Sequence, residues 1–520
     1  MSKHSSRTVR RAPVLLVVAG ALLVGGLVDR VSGPRPSAAV TAQVVQAVPV
    51  AAPPGAYSSS WFCAGASTAS GIDITGQVVV ANDGPGSVTG RVTVVGADPT
   101  GGGGSPPGKG APSGGTAPRA AVQAIHVGPY SSVSVPETLQ GAAWSGAIVD
   151  VDGGSVGVSQ VVDGPLGRST SPCATSGSQR WYLPSGQTRI NAAETVLLLN
   201  PYPTDSIVDL SFTTNQGLES PQEFQGLDVP PGGLLAVPLG SHLRRRSHIA
   251  TTVSARTGDV VAWESEVVTP PAKGSVLVGT PAANAPLADP AFPVPGVTVT
   301  LGAPSAGTAW VWPDGLAGGG IDERYVIYNP GPKTADVRLS VDLRHGSAEP
   351  FELSVGPYQV VQQVTEREAR IPAGIPYTAT LVSTNGVPVV AARTVTAQNA
   401  TVGSGTRNGI AQMLGERLSA PDWLVPYTAA GAHHEVAFIV QNPGAAPVKV
   451  SVQGLPAKPV GSPGVYTVSI PSGGRAEVVL PKGANGPAEV NATGPVYVQT
   501  DIYGTAGTNG YSTTTAIPLS

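Results

Sequence analysis

Several strings in this 520-residue chain carry residue types that do chemistry elsewhere. Gly103-Gly-Ser-Pro-Pro-Gly108-Lys109 spaces its glycines and lysine like a phosphate-cradling loop. Gly110 stands where such a loop needs a metal-coordinating hydroxyl, and no strand–helix pair flanks it, so the segment reads as a linker. Gly153-Gly-Ser155-Val-Gly157 spells a nucleophile elbow, which belongs between a strand and a helix. Here it falls in a turn between two strand patterns. Asp150 and Asp152 beside Gly153 suggest calcium, but that ion wants six to eight oxygens and no spaced acidic series continues. His433 and His434 are adjacent, so on a strand they face opposite ways and cannot easily share a zinc ion. No catalytic residue, metal site or cofactor is therefore expected. One charged cluster remains: Arg244, Arg245 and Arg246, flanked by His242 and His248. It reads either as a solvated connection or as a contact for an anionic glycan or lipid phosphate. Asn399-Ala-Thr401 and Asn491-Ala-Thr493 match the glycosylation string, which is uninformative if the source is bacterial.

The elements that would position such residues come from an internal repeat. Trp61 leads to Asn82, Trp181 to Asn200, Trp310 to Asn329 and Trp423 to Asn442, and each Asn opens a turn, as in Asn200-Pro-Tyr-Pro203 and Asn329-Pro-Gly-Pro332. Copies recur every ~115–130 residues, long enough for each to hold its own core. The Trp at a fixed register reads as core packing, with a sugar-stacking role as the alternative. The Asn side chain is expected to bond its own backbone and set the turn. Beyond it, Asp152-Gly153, Gly258-Asp259, Asn385-Gly386 and Thr493-Gly494 separate alternating apolar runs, the pattern of hairpins. Val364–Arg370 is the best helix candidate, at two turns.

Seven short strands per repeat predict an all-β chain of tandem immunoglobulin-like or fibronectin-like β-sandwiches, with a β-propeller-like repeat as the alternative. The expected segments are 1–31 (basic end and signal or anchor helix), 32–60 (Pro/Ala/Ser tether), 61–180 with a Gly/Pro insert at 99–118, 181–295, 296–422 and 423–520. Composition agrees: 67 Gly and 51 Pro suit turns, and charged residues are only 12%. A net charge of −3 gives no case for nucleic acid.

Lys3, Arg7, Arg10 and Arg11 precede an apolar run from Ala12 to Val28 closed by Asp29 and Arg30, which reads as a retained membrane anchor or a cleaved signal. Either places the bulk of the chain outside the cytoplasm. There, Cys63 and Cys173 are expected to be bonded, bracketing repeat 1.

Trp61-Phe62-Cys63, Asn200-Pro-Tyr-Pro-Thr-Asp205 and Trp310-Val-Trp-Pro-Asp-Gly315 leading to Tyr328-Asn-Pro-Gly331, behind a basic-apolar N-terminus, resemble an uncharacterised family of exported actinobacterial envelope proteins. The resemblance implies no activity and transfers no catalytic residues. It implies a non-catalytic extracytoplasmic scaffold or binding protein, accessory to cell-wall glycan assembly, with an envelope protein or cell-wall glycan as partner. The alternative is a carbohydrate-active enzyme or lectin.

Overall fold

In a computed structural model of the chain, the described residues are 48–69, 72, 74–97, 119–270, 294–343, 346–365, 368–402, 405–428, 434–458, 461–462, 464–480, 486–504 and 510–519. The 1–31 segment, the 99–118 insert with its Gly103–Lys109 string, and His433 lie outside them. The described residues are all-β, with no α-helix; of the two-turn helix expected over 364–370, Val364 ends a strand, 369–370 form a turn, and 366–367 lie outside the described residues.

Repeat 1 contains β1 (Ser59–Ser67), β2 (Thr75–Asn82), β3 (Val88–Ala97), β4 (Arg119–Val127), β5 (Ser131–Pro136), β6 (Trp144–Asp152), β7 (Val156–Gly164) and β8 (Gly167–Pro172). They form two sheets, ordered β1-β6-β3-β4 and β5-β2-β7-β8. Repeats 2 and 3 pair their strands in the same order, except that the fourth strand of repeat 2 is split into Gly217–Glu219 and Leu227–Val229. In repeat 4 the sixth and seventh strands fuse into one, Ala488–Gly504, which runs from one sheet into the other.

Four expectations change. Each repeat has eight strand positions, not seven, because the connecting segment after the seventh forms an edge strand. The first, fourth and seventh strands also lie in opposite sheets from those of the immunoglobulin ABED/CFG order. The boundary at 296 falls one strand early: Gly296–Leu301 pairs with Val261–Val268 and completes repeat 2. Residues 271–293 of the Pro-rich run before it lie outside the described residues. Finally, the turns at Asp152-Gly153, Gly258-Asp259 and Asn385-Gly386 are not hairpins. The sixth and seventh strands sit in different sheets, so these turns carry the chain across the sandwich, and at Thr493-Gly494 the strand continues without a turn. Alternation marks which face of a strand is buried; it does not say which strand is the neighbour.

Repeats join in a ring. The sheets ending in an eighth strand meet there: Gly167–Pro172, Gly296–Leu301, Gly405–Leu414 and Tyr511–Thr515 pack successively, and the last returns to the first. Their backbones come close because glycines open them; a Cβ on Gly296 would lie 2.7 Å from the Ile410 nitrogen, and one on Gly167 3.2 Å from the Gly510 Cα. Each first strand also packs on the second and seventh strands of the next repeat, with repeat 4 reaching repeat 1 through Leu424 against Gly157. The arrangement around the axis is propeller-like, with two sheets per repeat.

Two features recur in each copy. Trp61, Trp181, Trp310 and Trp423 are buried. Asn82, Asn200, Asn329 and Asn442 are fully buried, and each Oδ1 accepts the N–H two residues on (Gly84, Tyr202, Gly331, Gly444). Each Nδ2 donates to the carbonyl four residues on (Gly86, Thr204, Lys333, Ala446) and to the end of the fourth strand (Gly128, Val229, Val355, Ile470). One side chain thus ties two sheet-crossing turns together.

The Cys63–Cys173 bond, closing a separation of 110 residues, lies at a position the bridges Phe62–Ala174, Tyr182–Ala303 and Val311–Glu416 make equivalent in repeats 1 to 3. There repeat 2 packs Leu183 on Gly302, and repeat 3 packs Trp312 on Gly415.

Asn329→Ala should lower stability by roughly 2–4 kcal/mol, because it orphans buried carbonyls as well as losing bonds; a denaturation midpoint within experimental error of the parent would refute this. Replacing the disulfide by the repeat 2 pair, Cys63→Leu with Cys173→Gly, should unfold at higher denaturant than Cys63→Ser with Cys173→Ser. The reverse order would show the two positions are not interchangeable packing sites.

Candidate functional site

The residues singled out by sequence are scattered, and most are occupied. Asp150 takes the Ser60 hydroxyl at 2.8 Å and Arg91 at 3.0 Å, and Asp152 takes the Thr89 hydroxyl at 3.1 Å. Ser155 sits with φ 54° in the turn between β6 and β7, with a strand rather than a helix after it. His242 pairs with Glu223 at 2.6 Å, and burial lowers the pKa of His248. The arginine loop divides. Arg244 and Arg245 are exposed, whereas Arg246 is tucked in and clamps Glu219 through two bonds of 3.0 and 2.9 Å. Any contact with an anionic partner falls to the first two.

What sequence reasoning missed is buried charge. Position six before the conserved-register Asn on the second strand holds Glu194 in repeat 2 and Glu323 in repeat 3, both buried. In repeat 1 it is Gly76, whose missing side chain makes room for Glu137 from the end of the fifth strand. Each carboxyl faces an irregularity in the first strand, where the sheet register shifts. Glu323 accepts the Leu316 N–H at 2.9 Å there, and Gly186 leaves space for Glu194, since a Cβ on it would run into that carboxyl. These acids therefore fill and satisfy bulges.

Burial raises their affinity for protons. It pushes Glu137 up to about 8, opposed by a bond from the Gly65 N–H. Glu264 is pushed up to about 8 by burial and by Glu266; Glu266 is raised to about 7 by burial, against Gln187 and Arg189. Glu194, beside both, is raised by burial and by their charges. Between repeats 3 and 4 the charges are instead paired. Arg475 meets Asp314 at 2.8 Å, Arg407 lies 3.9 Å from both Asp314 and Asp501, and Arg393 lies 3.7 Å from Glu323. Tyr377 and Tyr511 donate to Glu323 at 2.8 Å and Asp501 at 3.0 Å.

A cavity of about 80 Å³ opens on the ring axis, at the C-terminal ends of all four eighth strands. Its walls include Trp310, Trp423 and Met413, with Val48 and Pro49 at its edge. Arg417 lies 5.1 Å over the Trp310 ring and donates to the Ser305 hydroxyl at 2.9 Å. Glu416, where repeats 1 and 2 have Ala174 and Ala303, lines it with Oε2 bonded to the Val498 N–H at 3.2 Å and with the Thr515 hydroxyl beside the carboxyl. Burial holds this carboxyl well above the usual carboxylate range. The Gln412 Oε1 and Thr300 Oγ1 in the same wall are buried and unpartnered. Among the described residues no group of acids, histidines and cysteines is arranged to hold a metal ion, and no helix is long and apolar enough to cross a membrane.

Residues 153–404, just under half of the chain, match a family of unknown function (DUF5719). No curated protein matches. Among solved structures, the crystal structure of Thermotoga maritima 1070 is 22% identical over 21% of this chain and 94% of its own, with a TM-score of 0.19. Streptomyces avermitilis alpha-L-rhamnosidase complexed with L-rhamnose is 11% identical over 82% of this chain and 54% of its own, with a TM-score of 0.12. With TM-scores this low, neither likeness bears on fold or function.

The raised carboxyls fix a pH dependence. Glu137, Glu264 and Glu266 bind protons more tightly folded than unfolded, so the folded state holds more protons between the ordinary value of 4.5 and about 7–8. Their contribution is fully present below 4.5 and is lost as pH rises to about 8, by up to ~1.4 kcal/mol per pH unit per group. Asp314, held low against its burial by Arg475 and its neighbours, works oppositely only under acid conditions. Denaturant unfolding should show greater stability at pH 5.5 than at pH 8.5, with a shallower slope in Glu137→Gln; greater stability at pH 8.5 would overturn the assignment.

Proposed function

We propose that the protein is a non-catalytic binding protein of an actinobacterial cell envelope. It is held in the membrane by its N-terminal segment and presents its ring of two-sheet β repeats outside the cytoplasm. The observation that carries the reading is the Cys63–Cys173 bond, joining the first strand of repeat 1 to its exit. Repeats 2 and 3 fill the same place by packing alone, so the fold does not require a disulfide there, and such bonds persist in oxidising compartments. The perturbed acids support the non-catalytic part. Glu137, Glu194 and Glu323 fill bulges, and Asp314 and Asp501 neutralise arginines. A rigid ring suits a platform for an envelope protein or a cell-wall glycan, and the exposed Arg244 and Arg245 suit an anionic surface on it.

Crosslinking the tagged full-length protein in its native envelope, followed by fractionation and affinity capture, tests this. The protein is expected in the membrane fraction with its N-terminal segment intact, crosslinked to one dominant envelope component, with less of that adduct in Arg244→Ser/Arg245→Ser at unchanged melting. A mature product beginning near Gln43 and confined to the culture supernatant would sink the anchored reading. Turnover of an envelope glycan by the purified protein would sink the non-catalytic one.

A further inference from the structure

We propose that the end of repeat 2 bearing Arg244 and Arg245 docks on the surface of an anionic lipid bilayer, with Ile190 and Leu218 set into its headgroup region. The inference rests on the envelope reading and deepens it by giving the arginine contact a partner class.

The loop leaves two guanidinium groups free. The Arg245 N–H donates to the Thr188 carbonyl at 2.9 Å, and in repeat 3 the Gly374 N–H donates to the Ala317 carbonyl at 2.8 Å. Thr188 and Ala317 each follow the Trp of their repeat, Trp181 or Trp310, by seven residues, so Arg245 and Gly374 hold the same position. Both are left-handed, with φ 56° and 75°. An arginine is strained there and a glycine is not, so the fold alone favours glycine. Other exposed arginines rest on carboxylates: Arg91 on Asp150, Arg256 on Asp209 and Arg338 on Glu352. The acids beside this loop are already taken, Glu219 by Arg246 and Glu223 by His242. The Arg244 Nε–H donates to the Ser241 carbonyl at 3.2 Å, and among the described residues no carboxylate pairs with Arg244 or Arg245.

The surroundings narrow the occupant. Ile190, two residues beyond Thr188, is 56% exposed, and Leu218, next to the clamped Glu219, is 53% exposed. Cations flanked by bare aliphatic side chains suit the boundary between headgroups and acyl chains, where the former meet lipid phosphate and the latter leave water. A hydrated anionic polysaccharide would use the arginines and leave both aliphatic side chains wet. Repeat 2 is also polarised from end to end. Pro238, which leads into the loop, pairs with Thr195, whereas Asn200 at the other end of the same strand leads to the exposed Asp205, beside the exposed Asp228. Acid at one end and base at the other turn the arginine end toward an anionic surface. Two arginines attract such a surface only weakly, so the patch serves to orient a ring that the membrane already holds.

Energy transfer in proteoliposomes of the full-length protein tests the proposal. A donor dye on Gln216→Cys marks the arginine end and one on Thr257→Cys the opposite end, with a headgroup-labelled lipid as acceptor. Cys63 and Cys173 are bonded, so only the introduced thiol reacts. In vesicles of two parts phosphatidylcholine to one of phosphatidylglycerol, transfer from Gln216→Cys should be about twofold greater than from Thr257→Cys. The difference should vanish in phosphatidylcholine alone and in about 1 M NaCl, where the screening length is about 3 Å. It should vanish also in Arg244→Ser/Arg245→Ser and shrink in Ile190→Ser/Leu218→Ser. Arg245→Gly should shrink it while melting no lower than the parent, which a structural role for that side chain would not allow. Equal transfer from both ends, the reverse order, or a difference independent of lipid composition overturns the proposal. Capture of soluble polygalacturonate that needs Arg244 and Arg245, without a lipid-dependent difference in transfer, assigns the arginines to a wall polymer and also overturns it. Flotation with the vesicles in the same high salt tests the anchored reading separately. Protein left behind there sinks that reading, and docking is then read as flotation at low salt with the anionic vesicles alone; failure to float with either overturns both.

Discussion

The ring depends on how four strand edges are satisfied at its axis. Each eighth strand is the edge of its sheet, and an unpaired edge offers N–H and C=O groups to any passing strand. A closed barrel would pair them, but two sheets per repeat leave the eighth strands meeting side on. Small hydroxyl residues take over. The Val299 N–H donates to Ser169 Oγ at 3.0 Å, and the Thr170 N–H donates to Ser512 Oγ at 2.8 Å. The Gly510 N–H reaches the Asn408 carbonyl at 3.0 Å. Larger side chains would hold the backbones apart; three of these strands begin with glycine, and Gly510 immediately precedes the fourth, Tyr511–Thr515. The unusual richness in Gly, Thr and Ser is thus partly a requirement of the axis.

Bringing sheets this close buries polar groups that a separate sandwich would leave wet. The molecule answers in two ways. In repeats 1 and 2, Glu137 and Glu194 are shifted upward by burial with no cation against them and keep their protons, so burial costs little until the pH rises. Between repeats 3 and 4 the acids face Arg393, Arg407 and Arg475 and stay in an ion network with tyrosine hydroxyls. Such pairs specify one docking geometry rather than add much net stability. The apolar contribution at that junction comes from Leu316, Ile321, Val395 and Ile439, which form a small core of their own.

The all-β class, the fourfold repeat and the disulfide partners were legible in the sequence, because each rests on a local signal: alternation, the Trp–Asn register and two cysteines. Strand neighbours were not. Asn385-Gly386 looks the same whether the chain reverses within a sheet or crosses to the facing one, and the difference lies in which strands find each other later. The eighth strand was hidden for a related reason. Gly167-Arg-Ser-Thr-Ser-Pro172 has little apolar character, since its inward partners are hydroxyls and backbones rather than a hydrophobic core.

The cavity was illegible because no single repeat contains it. Its wall takes Thr170 from repeat 1, Thr300 from repeat 2, Gln412 from repeat 3 and Thr513 from repeat 4, residues more than 300 positions apart at the extremes. The signal that existed was comparative. Aligning the chain on Phe62–Ala174, Tyr182–Ala303 and Val311–Glu416 exposes one column in which a small apolar residue becomes an acid. In an internally repeated protein the copies serve as controls for one another: what recurs, such as the buried Asn, belongs to the fold. Glu416 recurs in neither of the other two bridges, so it belongs to the seam between repeats 3 and 4, where its Oε2 takes the Val498 N–H.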